Sequence, residues 1–187
     1  KQKNLKHVIH DSIKLGHRLI EMKQFQTAEE ILYKFLLNNP NNILALRYYQ
    51  DAVNSQKSQS TSKKYQKILN NISDKRIKEY LQSSTIKNNI KKITALKKIL
   101  SYNVAFKNLI YLDIARCYLE ISNYKLCKKY LEHAKQSKSN MAEIFLTFAW
   151  LHLKQINWNK SLYFAKKANI EDKHLIAPYF FEAANYM

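Results

Sequence analysis

Apolar side chains recur along the chain at intervals of three and four, the spacing that stacks residues on one side of a helix. Tyr65, Ile68, Leu69 and Ile72 follow it, as do Ile77, Tyr80, Leu81, Ile90, Ile93 and Leu100. The pattern also repeats at long range. A grid that runs Leu15-Gly16, Leu19, Phe25, Ala28, Leu32, Phe35 and closes on Pro40-Asn41-Asn42 fits residues 9–42. It fits 108–141 through Tyr111, Ile114-Ala115, Tyr118, Tyr124, Cys127, Leu131 and Ala134. It fits 142–175 through Phe145, Phe148-Ala149, His152, Trp158, Ser161, Ala165 and Ala168, so two adjacent units run in unbroken register with a period of 34. Gly16 and Ala28 are small residues on successive helices, where the axes must approach closely, and Leu15, Leu19, Leu32 and Phe35 fill the gaps around them. Ile121-Ser122-Asn123 and Ile156-Asn157 supply the turns inside the later units.

The middle of the chain fits less well. Residues 74–107 keep the large positions and lose the small ones, while 43–73 fall short of a full unit and read clearly only in a first helix with Leu46, Tyr49 and Val53. The polar run from Ser55 to Ser62 has no periodicity, which predicts a loop or frayed connection with a helix resuming at Lys63. After residue 175, Ala177-Pro178 with Tyr179, Phe180, Phe181 and Ala184 predict a further helix over 177–187, Pro178 standing in its first turn. That helix is too aromatic to end a stack in water. Either the chain continues past Met187 or the helix meets a partner.

Composition removes most alternatives to helix. The chain has 187 residues, one glycine and two prolines. Dinucleotide-binding and phosphate-cradling loops need several glycines, because a Cβ would keep the backbone off the phosphates. Sandwiches and barrels need frequent tight turns with positive φ. An all-α chain remains.

The ordering of the grid resembles the tetratricopeptide repeat, whose pattern is a bulky residue, Leu-Gly, an aromatic, a small Ala, an aromatic or Leu, and a closing Pro. The resemblance is close in three units and loose in the two between them. It implies an all-α, right-handed superhelical solenoid of antiparallel helix pairs, forming one repeat domain over 1–187. The repeats would be 9–42, 43–73 and 74–107 (both degenerate), 108–141 and 142–175, followed by the helix 177–187. It also implies that the first helix of each unit lines a concave groove. There Ile13 and Ile20, Leu112 and Leu119, and Leu146 and Leu153 hold two equivalent places seven residues apart. The degenerate units break the stripe with Arg47 and Asn54, and with Lys78 and Thr85. His17, Asp51, Arg116 and Trp150 hold one further place, and Trp and Arg are common interface anchors. The peptide-carboxylate clamp of some family members places Lys and Asn where this chain has Ile13, Leu112, Leu146, His17, Arg116 and Trp150, so that clamp is not expected. The function implied is a non-catalytic scaffold or assembly subunit that receives an amphipathic helix or extended segment of another protein. The competing expectation is that neighbouring helices, or the region of Phe180, already cover these leucines.

Charge adds a second reading. Lys and Arg number 32 against 14 Asp and Glu, a net +18, and all but four of the basic residues are lysine. Residues 74–107 hold nine basic and two acidic side chains. Lys87, Lys91 and Lys98 share one helical face with Lys92 beside it, a candidate polyanion-binding surface for nucleic acid, although lysine-coated helices are usually only solvated. An acidic protein partner would suit the same charge, and homo-oligomerisation through 177–187 is a third alternative. Abundant Lys, Asn, Ile and Tyr together are also what AT-rich coding produces.

Chemistry finds little footing. Glu29-Glu30 and Glu171-Asp172 sit at helix surfaces or turns, no strained nucleophile motif occurs, and no enzymatic activity or cofactor is expected. His7 and His10 are three apart, but His17 lies about 10.5 Å further along the helix and only Asp11 is close by, so no metal site is expected. His152 stands in an aromatic place and is expected to be packed and hydrogen-bonded. Cys117 and Cys127 are expected as buried free thiols, in keeping with a reducing compartment such as the cytoplasm. The stretch from Ala142 to Leu153 is far shorter than the ~18 residues of a membrane span. Because the chain opens on Lys1, an upstream signal, anchor or domain is a further expectation.

Overall fold

The computed structural model describes residues 2–56 and 59–173, with side chains from Ser12 onward except 59–62. The His7–His10 pair and the helix expected over 177–187 lie outside these limits. Among the described residues there are ten helices and no strand. They fall into two compact units, Lys1–Gln82 and Ser83–Met187, and the division lies inside the loosest sequence repeat.

The first unit holds α1 (Gln2–Glu21), α2 (Phe25–Asn38), α3 (Ile43–Gln56), α4 (Gln59–Asn71) and most of α5 (Lys75–Ser84). α1 and α2 pack through Gly16. A Cβ there would meet the Leu32 side chain at 2.6 to 3.0 Å, so the absence of a side chain sets the helix separation. Leu15, expected in the same interface, is 44% exposed. With Gly16 at the crossing, its neighbour leaves the helix about 100° away and points to solvent. Gln50 occupies the small-residue place in α3; it is buried and donates Nε2–H to the Leu81 carbonyl at 3.1 Å. The polar run expected as a loop is largely helical, since α3 reaches Gln56 and α4 begins at Gln59. Of its described side chains, the Ser55 hydroxyl donates to the Asp51 carbonyl at 2.8 Å, and Gln56 Nε2 donates to the Phe25 carbonyl of α2 at 3.1 Å. Polar residues can continue a helix when their donors find such acceptors.

The second unit holds α6 (Asn89–Leu100), α7 (Lys107–Glu120), α8 (Tyr124–Lys135), α9 (Met141–Lys154) and α10 (Trp158–Glu171). α7/α8 and α9/α10 are antiparallel hairpins offset by one 34-residue period, as the pattern predicts. Tyr111 meets the His133 ring at 5.3 Å and Tyr118 meets Tyr130 at 5.5 Å, closing the first hairpin. In the second, Phe148 stacks on Phe164 at 4.8 Å, and the buried Ser161 hydroxyl donates to the Ala149 carbonyl at 2.9 Å. Ala115, Ala134, Ala149, Ala165 and Ala168 are fully buried at the small places.

The hairpin turns repeat atom for atom. Ser122 N–H donates to the Leu119 carbonyl and Asn123 N–H to the Tyr118 carbonyl; Ile156 and Asn157 make the same pair to Leu153 and His152, and Lys23 and Gln24 to Ile20 and Leu19. This is the Schellman closure, whose left-handed residue is usually glycine. Here it is Lys23 (φ 60°), Ser122 (φ 58°) and Ile156 (φ 58°). Asn123 and Asn157 then cap the following helices through side-chain oxygens that accept from Leu126 N–H and Lys160 N–H, both at 3.2 Å.

Cys117 and Cys127 are free and buried, as expected. Burial pushes the Cys127 thiol up to about 12. His152 is packed, stacking on Phe164 at 5.4 Å, but its Nδ1 is buried without the hydrogen-bond partner expected for it. Burial, followed by the nearby Lys160 and Lys128, lowers its pKa.

Candidate functional site

The site is built by two first helices of the second unit. α7 presents Arg116, Leu119 and Glu120, and α9 presents Leu146, Thr147, Trp150 and Lys154, around an open pocket of about 420 Å³. The spacings 116, 119, 120 and 146, 147, 150, 154 each keep to one side of a helix. Four of the ten predicted groove residues, Arg116, Leu119, Leu146 and Trp150, therefore come together. Trp150 is 44% exposed, a large indole surface open to solvent.

The guanidinium of Arg116 is fixed from two sides. Its Nη2 lies 2.8 Å from Glu143 Oε2, and its Nη1 lies 3.7 Å from Asp113 Oδ1. Glu143 is buried, so the first pair is a charge-assisted bond between helices and orients the arginine along the pocket wall. Thr147, also buried, donates its hydroxyl to the Glu143 carbonyl at 2.9 Å, which leaves its methyl group for the pocket. Arg116, Glu120 and Lys154 supply charges of both signs at the pocket, with Asp113 and Glu143 behind the arginine. The pocket is thus an apolar floor with a rim of mixed sign, and the excess lysines do not ring it.

The other predicted groove residues lie elsewhere. Leu112 and Ile13 are enclosed in the packing of their own units and offer cohesion rather than surface. Leu153, half-buried, packs with Leu146 and Phe164 against Ala149 and Ala165. In the first unit, His17 stacks on Tyr48 at 4.3 Å, and Ile20 and Arg47 are half-buried. The pattern missed Glu120, Glu143, Thr147 and Lys154. Glu143 was findable in principle, because it precedes Trp150 by seven residues and so shares its face.

Of the candidate polyanion-binding lysines, Lys87, Lys91 and Lys98 are exposed. Lys92 is half-buried and turned toward α7, close enough for its charge to act on the Cys117 thiol. Deep in the first unit, Glu29 is buried between Lys64 Nζ at 3.2 Å and Gln56 Nε2 at 3.3 Å. Burial raises the nearby Tyr65 hydroxyl to about 12 and the Tyr49 hydroxyl higher still, so this cluster stays un-ionised at its phenols. Among the described residues no group of three His, Cys, Asp or Glu side chains could hold a metal ion, and no helix is long and apolar enough to cross a membrane.

No protein-family model matches the chain, and no curated protein sequence does. A solved structure of PilW, titled a widely conserved type IV pilus biogenesis factor, superposes on 95% of this chain and 91% of its own, with a TM-score of 0.49 and 14% identity.

Proposed function

We propose that this chain is a non-catalytic protein-interaction module, a scaffold or a subunit of a larger assembly, whose hairpins are tetratricopeptide-like. Its α7/α9 pocket receives an amphipathic helix or extended segment of another protein. The observation that carries this reading is the pocket itself: about 420 Å³, floored by Leu119, Leu146 and the exposed Trp150, with Arg116 held ready at its wall. That volume suits one or two large apolar side chains, and a pre-oriented arginine beside an indole is the composition of an interface anchor. Because the rim carries both signs, the partner's flanks need both signs of charge rather than a purely acidic run. Leu119, Leu146 and Trp150 supply affinity; Arg116, Glu120 and Lys154 set register.

The test is affinity capture on the immobilised full chain at low and moderate salt, with wild type beside Leu146→Asp. Groove binding predicts a retained protein that survives the salt change and is lost in the variant, with helicity unchanged. Retention that Leu146→Asp leaves intact would overturn the reading.

A further inference from the structure

Charge in the second unit is sorted by helix. α7 and α9, which form the pocket, are each balanced: Lys107 and Arg116 against Asp113 and Glu120, and Lys154 against Glu143. α6, α8 and α10 together carry eleven lysines against two glutamates, Glu132 and Glu171. These helices pack on the other side of the pocket-forming pair. Tyr111 and Tyr118, which meet α8, leave α7 about 200° round from Arg116, and Phe148 and His152, which meet α10, leave α9 roughly opposite Trp150. The unit therefore has a neutral face that carries the pocket and a basic face on the other side.

The basic face is most developed on α6. No carboxylate occurs between Glu79 and Asp113. Ile93, Leu96 and Ile99 are buried on the inner side of the helix. On the outer side Ile90, Lys91, Thr94 and Lys98 fall within an arc of about 100°, and all four are exposed, as is Lys87 in the loop before the Asn88 cap. Ile90 stands in this lysine field at 66% exposure, and Tyr102, just past the helix end, is 40% exposed. α10 shows the same mixture, with Tyr163 and the 75% exposed Ile170 beside exposed Lys166.

We infer that the α6 face is an attachment surface for an anionic lipid bilayer. Phosphate-bearing polyanions in general would satisfy the lysines, but an exposed isoleucine set among them selects between the sources. An aliphatic side chain gains nothing against a solvated phosphodiester backbone. At a bilayer it enters the boundary between headgroups and acyl chains, while the flanking lysines meet anionic headgroups and the tyrosine ring takes an interfacial place. The near absence of arginine agrees, since diffuse headgroup charge needs ammonium groups rather than bidentate forks. The pocket on the opposite side stays accessible.

The experiment is flotation of the full chain with vesicles of phosphatidylcholine alone and of phosphatidylcholine mixed with phosphatidylserine. Binding should require phosphatidylserine and weaken as salt rises. Lys91→Gln and Lys98→Gln should each reduce it about fivefold, and Ile90→Ser about tenfold. All three side chains are exposed, so helicity by circular dichroism should match wild type. Leu146→Asp, which disables the pocket, should bind vesicles as wild type does, keeping this test separate from that of the proposed function. Equal binding to both vesicles, or full binding by Ile90→Ser, would overturn the inference. So would tighter binding to a duplex RNA or DNA that Ile90→Ser leaves unchanged, which would assign the face to nucleic acid.

Discussion

Lys23, Ser122 and Ile156 each close a hairpin turn in the left-handed region that glycine would occupy without strain, in a chain whose one glycine, Gly16, is committed to a helix crossing. Ile156 is the most strained, because a β-branched side chain at positive φ is crowded by its own backbone, and at 76% exposure it recovers little by burial. Ile156→Gly should therefore stabilise the protein by about 1 kcal/mol, read as a higher urea midpoint at unchanged slope. Gly16→Ala should act the other way, costing about 1–3 kcal/mol because the new Cβ runs into the branch point of Leu32. His152 gives a pH dependence. Its folded pKa lies below the ordinary histidine value, so the native state favours the neutral ring; the contribution is complete above the unfolded pKa near 6.5 and is lost as pH falls through the lower folded value. His152→Tyr, matching Tyr118 one period earlier, should flatten the decline of the melting temperature below neutral pH. The turns were legible at their sequence positions, whereas the strain inside them was not, because nothing in the residue order says which backbone takes positive φ.

Helices and their pairing were the most legible level. A 34-residue recurrence of small residues fixes where axes cross, and both hairpins of the second unit lie in that register. Aromatic, thiol and hydroxyl residues interchange at these places with definite effects. Ser161, one period after Cys127, uses its hydroxyl to tie α10 to the Ala149 carbonyl, and Ser161→Ala should cost about 1 kcal/mol. Cys127 has only burial, which holds its thiol protonated, so a thiol-specific reagent at mildly alkaline pH should label it only as fast as the second unit opens. Rapid labelling in the native state would contradict that packing. Two local readings went astray for physical reasons. Leu15 looked like core because its type and spacing fit, yet Gly16 beside it takes the contact. The Ser55–Ser62 run looked like loop because it lacks apolar periodicity, yet Ser55 and Gln56 satisfy their polar groups on neighbouring carbonyls.

For the molecule as a whole, sequence indicated the pocket through Arg116, Leu119, Leu146 and Trp150 but not its electrostatics. Net charge suggested an acidic partner, or a polyanion surface at Lys87, Lys91, Lys92 and Lys98, without saying how charge is arranged around the pocket. In the second unit the lysines lie on α6, α8 and α10 and leave α7 and α9 balanced, a sorting that gains meaning only once each helix has a side. Glu143 shows the same limit: its pairing with Arg116 across 27 residues depends on how α7 and α9 lie together. Association through the pocket should accordingly be salt-tolerant, and Trp150→Ala should weaken it by about 2 kcal/mol or more, the loss typical of a buried aromatic anchor. The most direct check is site-specific photo-crosslinking in the native cell, with a benzophenone amino acid in place of Trp150 and, in a parallel sample, in place of Lys129 on α8. The account predicts a discrete protein adduct from position 150 that disappears when Leu146→Asp is added. No adduct from position 150, or one that Leu146→Asp leaves in place, would contradict it.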